Sequence, residues 1–534
     1  MWKSEDNLKK YAPFSHACPL GALSVITLKS TASIIFNMSK FLPAAASLLA
    51  TALLLSQTLP GSDPFLEKPY LQLGDAPKLS ASESLVLIWH TENVPQKWDV
   101  EVRTSKDSAW RKTGAVQSQV VSAPAGEPIV AGKNGAKKDA PASPAIEPHI
   151  VYRAALTNLV PGEEFHYRVL KAGKAVFDAV GHARKSASQP FRLALFGDCG
   201  QGTPSENAIA YQAYLAKPDF IFIPGDIVYG SGRISEYRTK FFPSYNSDEP
   251  SSANGAPLLR SVVFIGAPGN HDTDLANFRR YPDALGYFLY WDQPLNGPMA
   301  PPDAVNAAHK LTGSTDAQPI FLAGAGTRYP RMANFSFDYG NSHWTVLDAN
   351  TYMDWNNPSL REWLTKDLAA AQSATWRFVA FHQPGFNSSK EHFTEQQMRP
   401  LSPIFEAGHV DVVFAGHVHN YQRSFPLTFV PGPQPDGSPR GPKGEVAGDW
   451  KLDKTFGDGA KAKPQGVIYI VSGAGGAELY NPEQQTDPAS WQSFTDKFIS
   501  QVHSLSVIDV EGKTFRLKQV SETGETVDSF RISK

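Results

Sequence analysis

Residues 191–229 read FRLALFGDCGQGTPSENAIAYQAYLAKPDFIFIPGDIVY, and this stretch decides the fold. An apolar run from Phe191 to Phe196 ends in Gly197 and Asp198; a helical stretch follows; a second apolar run from Asp219 to Pro224 ends in Gly225 and Asp226. Short apolar runs bounded by turn residues are the pattern of strands covered on both faces, and open α/β sheets place ligands beyond the carboxyl ends of such strands. Two buried strands therefore deliver one carboxylate each to the same sheet edge. Glycine before each Asp is expected to let the backbone turn sharply there. Tyr229, three residues past Asp226, is near enough to share the site. Taken alone, the stretch fits equally well two N-caps that share a Gly-Asp dipeptide; the residues downstream remove most of that weight.

Working outward, strands continue to alternate with helices, which means a layered α/β domain. Ser205 is expected to open a helix after Pro204, and Ser359 to cap a second whose Leu360, Trp363, Leu364 and Leu368 share one face. Further strand runs are Ser261 to Ile265, Trp344 to Leu347, Phe378 to Phe381, Val410 to Phe414 and Val467 to Val471. Residues 425–465 read as a long Pro/Gly-rich loop. The tail returns to strand periodicity over Leu505 to Val510, Thr514 to Val520 and Thr526 to Ile532, and is expected to finish a sheet. Upstream, residues 64–187 read as all-β, with runs at Leu85 to Trp89, Trp98 to Arg103, His149 to Ala155 and Phe165 to Leu170. Seven or so such strands make a β-sandwich, with residues 123–148 as a surface insertion.

The chain has 534 residues, enough for two or three domains, and its 41% hydrophobic and 11% aromatic content supports real cores. A net charge of −2 without a basic run gives no footprint for nucleic acid. Near the start, Phe41 to Leu55 (FLPAAASLLATALLL) follows Lys40 and is too short to span a bilayer comfortably, so it reads as the core of a secretory signal. Met38-Ser39-Lys40 makes a normal positive start for such a signal, which places the expected true start at Met38 and a leader over 1–63; an uncleaved anchor stays open. Only Cys18 and Cys199 are present, so the mature chain has one thiol and no internal disulfide. Cys199 reads better as a small packed residue than as a redox group.

Other apolar runs in the α/β region also end in metal-binding residue types: Gly269-Asn270-His271-Asp272, His382, and Gly416-His417-Val418-His419. Asp198, Asp226, Tyr229, Asn270, His382, His417 and His419 together mix carboxylate, phenol, amide and imidazole donors, and a two-metal hydrolytic site needs such a mixture. For Gly416-His417-Val418-His419 alone, satisfied core histidines remain an alternative; for the whole ordered set they do not compete.

With these motifs the sequence resembles the calcineurin-like metallophosphoesterases and, within them, the purple acid phosphatases. The resemblance extends over nearly all of 64–534, through Pro69-Tyr70-Leu71-Gln72, Phe335-Ser336-Phe337-Asp338-Tyr339-Gly340, Gly473-Ala474-Gly475-Gly476 and Asp528-Ser529-Phe530. It implies a fibronectin-III-like sandwich over 64–187 and an αββα catalytic domain over 188–534. It also implies that Asp198, Tyr229 and His419 hold Fe(III), that Asp226 bridges, and that Asn270, His382 and His417 hold a divalent Zn, Fe or Mn. Tyr229 discriminates, because a phenol ionises near pH 10 unless a hard Lewis acid holds it. Relatives with two divalent ions carry a His where Gly200 stands here, which favours the iron-tyrosinate subclass.

The resemblance further implies that His271 and His392 contact the substrate. Without it, His392 reads as an exposed loop residue. Glu391 stands where some relatives carry a second histidine, and Phe386 replaces a common tyrosine, so the family's substrate preferences transfer poorly. The expected activity is hydrolysis of small phosphate monoesters by a secreted or periplasmic enzyme, without nucleic acid or stable membrane association. Rivals are a phosphodiesterase or nucleotide hydrolase on the same site, and a secreted binding or adhesion protein with a vestigial site.

Overall fold

The computed structural model describes residues 63–130, 140–274, 276–299, 306–433, 444–457 and 463–534. Cys18, Met38 and the apolar stretch at 41–55 lie outside the described residues, as does all of the expected leader before Asp63. Among the described residues no helix is long and apolar enough to cross a membrane.

The C-terminal part is built on two mixed sheets. In the first, the parallel strands Val263–Gly266, Phe220–Ile223 and Phe191–Leu195 are continued by the antiparallel tail strands Ser504–Glu511, Thr514–Ser521 and Thr526–Ser533. In the second, Ser342–Val346, Trp376–Ala380, Val412–Ala415 and Ile468–Ser472 run parallel, with Phe335–Tyr339 antiparallel at one edge and Tyr421–Ser424 and Thr495–Ile499 at the other. Side chains alternate faces along a strand, so each apolar run feeds two cores at once. Leu193, Leu195, Phe220 and Phe222 meet Trp344, Phe378, Phe414 and Ile470 between the sheets. Ala194, Phe196, Ile221 and Ile223 face outward onto Ile209, Ala210 and Ala213 of helix Pro204–Ala216. Val379, Phe381 and Val413 face outward onto Leu360, Leu364 and Leu368 of helix Pro358–Ala370. This four-layer helix-sheet-sheet-helix arrangement is why the runs are continuous rather than alternating.

Both helices begin ahead of the serines that the sequence reading assigns. The first opens at Pro204 rather than Ser205 and is capped by Thr203, its Oγ1 accepting from the Glu206 amide at 3.1 Å; Asn357, not Ser359, caps the second, its Oδ1 accepting from the Ser359 amide at 2.9 Å. Pro204 and Pro358 take the first helical position, where a missing N–H costs nothing, so the cap falls on the residue before each. Trp363 is only half-buried, its indole donating to the Asn296 carbonyl. The 425–465 segment is also more ordered than a loop: Leu427–Pro431 pairs with Gly448–Leu452 as an antiparallel hairpin.

The N-terminal part is β-rich. Strands Glu67–Gln72, Glu83–Glu92, Ile146–Leu159 and Gln117–Ala123 form one sheet; Arg111–Lys112, Trp98–Arg103, Glu164–Lys171 and Lys174–His182 form the other. Leu85, Leu87 and Trp89 pack with Trp98, Val100, Val102 and Tyr167 between them, while Val86 and Ile88 point the other way, onto the C-terminal part. Buried Arg184 reinforces that seam, donating to both carboxylate oxygens of Glu83 at 2.6 and 2.9 Å and to the Asp338 carbonyl at 3.1 Å. Residues Gly61–Lys534 accordingly form one compact unit.

Candidate metal centre

Six of the seven selected donors sit on loops past a strand and Asn270 opens the short helical turn Asn270–Asp274; the structure brings all seven together where the two sheets meet. Tyr229 Oη lies 3.1 Å from Asp198 Oδ1 and 2.8 Å from His419 Nε2, which is itself 3.5 Å from Asp198 Oδ1. His382 Nε2 lies 3.0 Å from Asn270 Oδ1, 3.2 Å from Asp226 Oδ1, 3.3 Å from His417 Nδ1 and 3.9 Å from Asp198 Oδ1. All but Asn270 are buried.

The backbone is bent to make this cluster. Asp198 (φ 58°), Asp226 (φ 49°) and His417 (φ 70°) adopt left-handed conformations that L-residues rarely occupy, and such strain collects at functional sites. Of the two Gly-Asp turns, only Gly225 is itself left-handed (φ 92°), and a Cβ there would stand 2.3 Å from His382 Nδ1. At Gly197 no positive φ occurs, and Asp198 itself makes the left-handed turn.

Hydrogen bonds fix which imidazole nitrogen faces the cluster. His382 Nδ1 donates to the Pro224 carbonyl (2.8 Å) and His419 Nδ1 to the Glu478 carbonyl (2.6 Å); a carbonyl only accepts, so in the neutral form of each ring Nε2 holds the lone pair and points inward. His417 is turned the other way round: Nε2 donates to Glu395 Oε2 at 2.9 Å and Nδ1 faces His382. A carboxylate behind a histidine is the usual orienting partner of a metal-binding imidazole.

Charges of both signs are buried together in the cluster. Burial pushes the Asp198 carboxyl well up, although His382 opposes it. At Asp226 the burial penalty is outweighed by His382 and further histidines, so its carboxyl lies below the usual range. Burial lowers His382, but Asp226 and Asp198 more than reverse this and raise it to about 9. Burial lowers His417 to about 4 and His419 to about 3, keeping both neutral. The Tyr229 phenol is pushed far up by burial and the two Asp residues, and donates to Asp198. Oxygen donors and free imidazole lone pairs in a buried, strained cluster fit a pair of hydrolytic metal ions, and ionising Tyr229 there requires a strong Lewis acid.

His271 and His392 flank the cluster. His271 Nδ1 lies 3.1 Å from the Gly230 carbonyl and its Nε2 is 4.0 Å from Asp226 Oδ2, while its amide donates to Asp226 Oδ1 at 2.9 Å. The His392 ring lies 4.0 Å from that of His417, with Nδ1 2.7 Å from Glu395 Oε1, and the residue is left-handed (φ 56°).

Three further residues at the site carry no role in the sequence reading. Buried Asp272 accepts from the amides of Ile227, Val228 and Gly269 (3.2, 3.4 and 2.9 Å), tying the Asp226 loop to the Asn270 loop. Glu395 joins His392 to His417. Tyr480 stacks on His419, with ring centroids 4.0 Å apart and planes at 10°. Asp272 is visible inside the Asn270 motif, and Glu395 by its three-residue spacing from His392; nothing local marks Tyr480. Cys199 is buried, its thiol 3.7 Å from the Ile227 carbonyl.

The calcineurin-like phosphoesterase family model matches residues 191–421, which span the loops of all seven donors. Residues 191–421 are a calcineurin-like phosphoesterase domain. Around this phosphoesterase domain, the chain is 26% identical over 294 residues to purple acid phosphatase 23 of Arabidopsis thaliana, covering 51% of this chain and 57% of the relative. It is 24% identical over 421 residues to probable inactive purple acid phosphatase 24 of the same plant, covering 73% and 58%. The chain thus spans less than two thirds of the length of these curated relatives. Purple acid phosphatase PPD1 from yellow lupin (Lupinus luteus) seeds shares the fold, with a TM-score of 0.55, 18% identity, and coverage of 87% of this chain and 74% of that one.

Proposed function

We propose that this protein is a secreted acid phosphatase with a binuclear metal centre that hydrolyses phosphate monoesters. Asp198, Tyr229 and His419 would hold Fe(III), Asn270, His382 and His417 a divalent ion, and Asp226 both. The reading includes a sandwich domain over 64–187 and a catalytic domain over 188–534. The observation that carries it is the convergence of seven donors with the inward nitrogens of His382 and His419 freed by carbonyl hydrogen bonds. Bound there, such ions supply Lewis acidity that lowers the pKa of water and draws charge from the phosphoryl oxygens.

The chain's own residues do the rest. Asn270 and His271 stand at the exposed side of the cluster, placed to hold phosphate oxygens. Glu395 anchors His392 through Nδ1, which leaves Nε2 as the proton donor. As a hydroxide oxygen, from a water that has already given its proton to solvent, bonds to phosphorus, the ester P–O bond breaks with its electron pair on the alkoxide, and His392 Nε2 gives that oxygen a proton. The intact donor set favours an active site over a vestigial one, although one relative reported above is named probable inactive.

The test is turnover by purified, metal-loaded protein beginning after Asp63. It should purify coloured with two metals per chain, hydrolyse mono-aryl faster than bis-aryl phosphates, and bleach on Tyr229→Phe. Active, iron-free, colourless protein would overturn the ferric assignment. His392→Ala should slow alkyl phosphates about a hundredfold and aryl phosphates far less, since only the poor leaving group needs the proton. Equal losses would remove His392 as the acid. N-terminal sequencing of native-host protein should find residues 1–37 absent.

A further inference from the structure

The segment after Gly476 closes one side of the candidate centre. The Glu478 carbonyl accepts from His419 Nδ1 (2.6 Å), and the Tyr480 amide donates to the His419 carbonyl (3.0 Å). The next residue, Asn481, is left-handed (φ 51°), and its side chain accepts from the Glu391 amide at 3.2 Å. One short segment thus links the His419 loop to the loop that carries Glu391 and His392, with Tyr480 between them. The Tyr480 ring stacks on His419 and stands 5.7 Å from the His392 ring at 48°. It is half-buried, one face covered by His419.

This is where the alcohol part of an ester must lie if His392 protonates it. The charge there is negative: Glu391 and Glu478 are exposed, and Lys390, next to Glu391, is held by Glu483 at 2.8 Å. A phenol is neutral below about pH 10, so Tyr480 presents a neutral ring and hydroxyl beside these carboxylates. A flat apolar group gains from an aromatic wall, whereas a further phosphate meets uncompensated carboxylates.

We propose that Tyr480 is the specificity residue for the leaving group, favouring uncharged, flat or apolar alcohols over those that bear another phosphate. The proposal rests on the phosphatase reading above and deepens it.

The experiment compares benzyl phosphate with methyl phosphate, whose alkoxides are of comparable basicity, so that the difference reports contact rather than chemistry. On metal-loaded full-length protein, kcat/KM should favour benzyl phosphate by about tenfold. Tyr480→Ala should collapse the ratio through KM, and Tyr480→Phe should keep it. Glu391→Gln should raise the ratio of pyrophosphate to methyl phosphate turnover by about fivefold. Calorimetry with benzylphosphonate and methylphosphonate gives the same comparison without turnover. A benzyl-to-methyl ratio unchanged in Tyr480→Ala would overturn the proposal. So would Tyr480→Ala protein that loses metal, which would make the ring a support for His419. A wild type that turns over neither ester but binds benzylphosphonate the more tightly, in a Tyr480-dependent way, would sink the phosphatase reading and leave this subsite standing.

Discussion

The two sheets contribute unlike chemistry to the centre. The first supplies only oxygen: Asp198, Asp226, Tyr229 and Asn270 all follow its strands. The second supplies only nitrogen, from His382, His417 and His419. Each set is held by the other's backbone. The His417 amide donates to Asp198 Oδ2 at 2.8 Å, and the Pro224 carbonyl accepts from His382. The braces differ as well: backbone amides and Asp272 fix the oxygen side, whereas carbonyls and Glu395 fix the nitrogen side. A site split in this way exists only when both sheets are packed, so donor geometry reports on the interface between them.

Four outcomes would sharpen or break this contrast. The largest is expected at Asp226→Ala, which removes the donor carboxylate closest to the imidazoles, 3.2 Å from His382 Nε2. Both metals should be lost and activity should fall to background, read by metal analysis and turnover; retention of two metals would refute its shared role. Next, Asp272→Asn places an amide N–H₂ against three backbone donors and should cost about 1–3 kcal/mol in denaturant unfolding, with weakened metal on both sides. Glu395→Gln should instead leave the oxygen side intact and weaken the divalent metal by roughly tenfold to a hundredfold, as loss of an orienting partner does. Equal weakening of both metals would mean the two sides are not separately braced.

The smallest effect lies away from the site, on the second sheet. His343 bridges Asp338 (2.8 Å) and Asp367 (3.1 Å); burial lowers its pKa, but the two carboxylates outweigh it and raise it to about 9. Because the folded value lies above the usual 6.5, this stabilisation is fully present below about pH 6.5 and is lost as pH rises through about 9. His343→Gln should flatten that limb of the stability profile without touching metal content. A profile unchanged by the substitution would show that the triad contributes nothing.

How much of this was legible follows from what each residue answers to. The strands were readable because two-sided burial leaves an unbroken apolar run, as Phe220 to Ile223 does, and their donors because motif residues sit directly after such runs. The helix starts were misplaced, by one residue at Ser205 and by two at the Ser359 cap, because Pro204 and Pro358 take the first helical position and leave the cap to Thr203 and Asn357. The hairpin joining Leu427–Pro431 to Gly448–Leu452 was hidden by its Gly/Pro-rich connection. Tyr480 was out of reach for another reason: its place depends on the path of the chain after Gly476, and no periodicity encodes a stacking partner 61 residues away.

The left-handed backbone at Asp198, Asp226 and His417 has a last consequence, for which substitutions the cluster tolerates. A left-handed conformation is unfavourable for any residue with a Cβ, and two of the three carboxylate and imidazole loops are tied by hydrogen bonds, from the His417 amide to Asp198 Oδ2 and from the His271 amide to Asp226 Oδ1. Part of the chain's folding free energy is thereby held as local backbone strain at these positions. Glycine there would relax the main chain while removing the donor, so stability and chemistry make opposite demands on the same three residues.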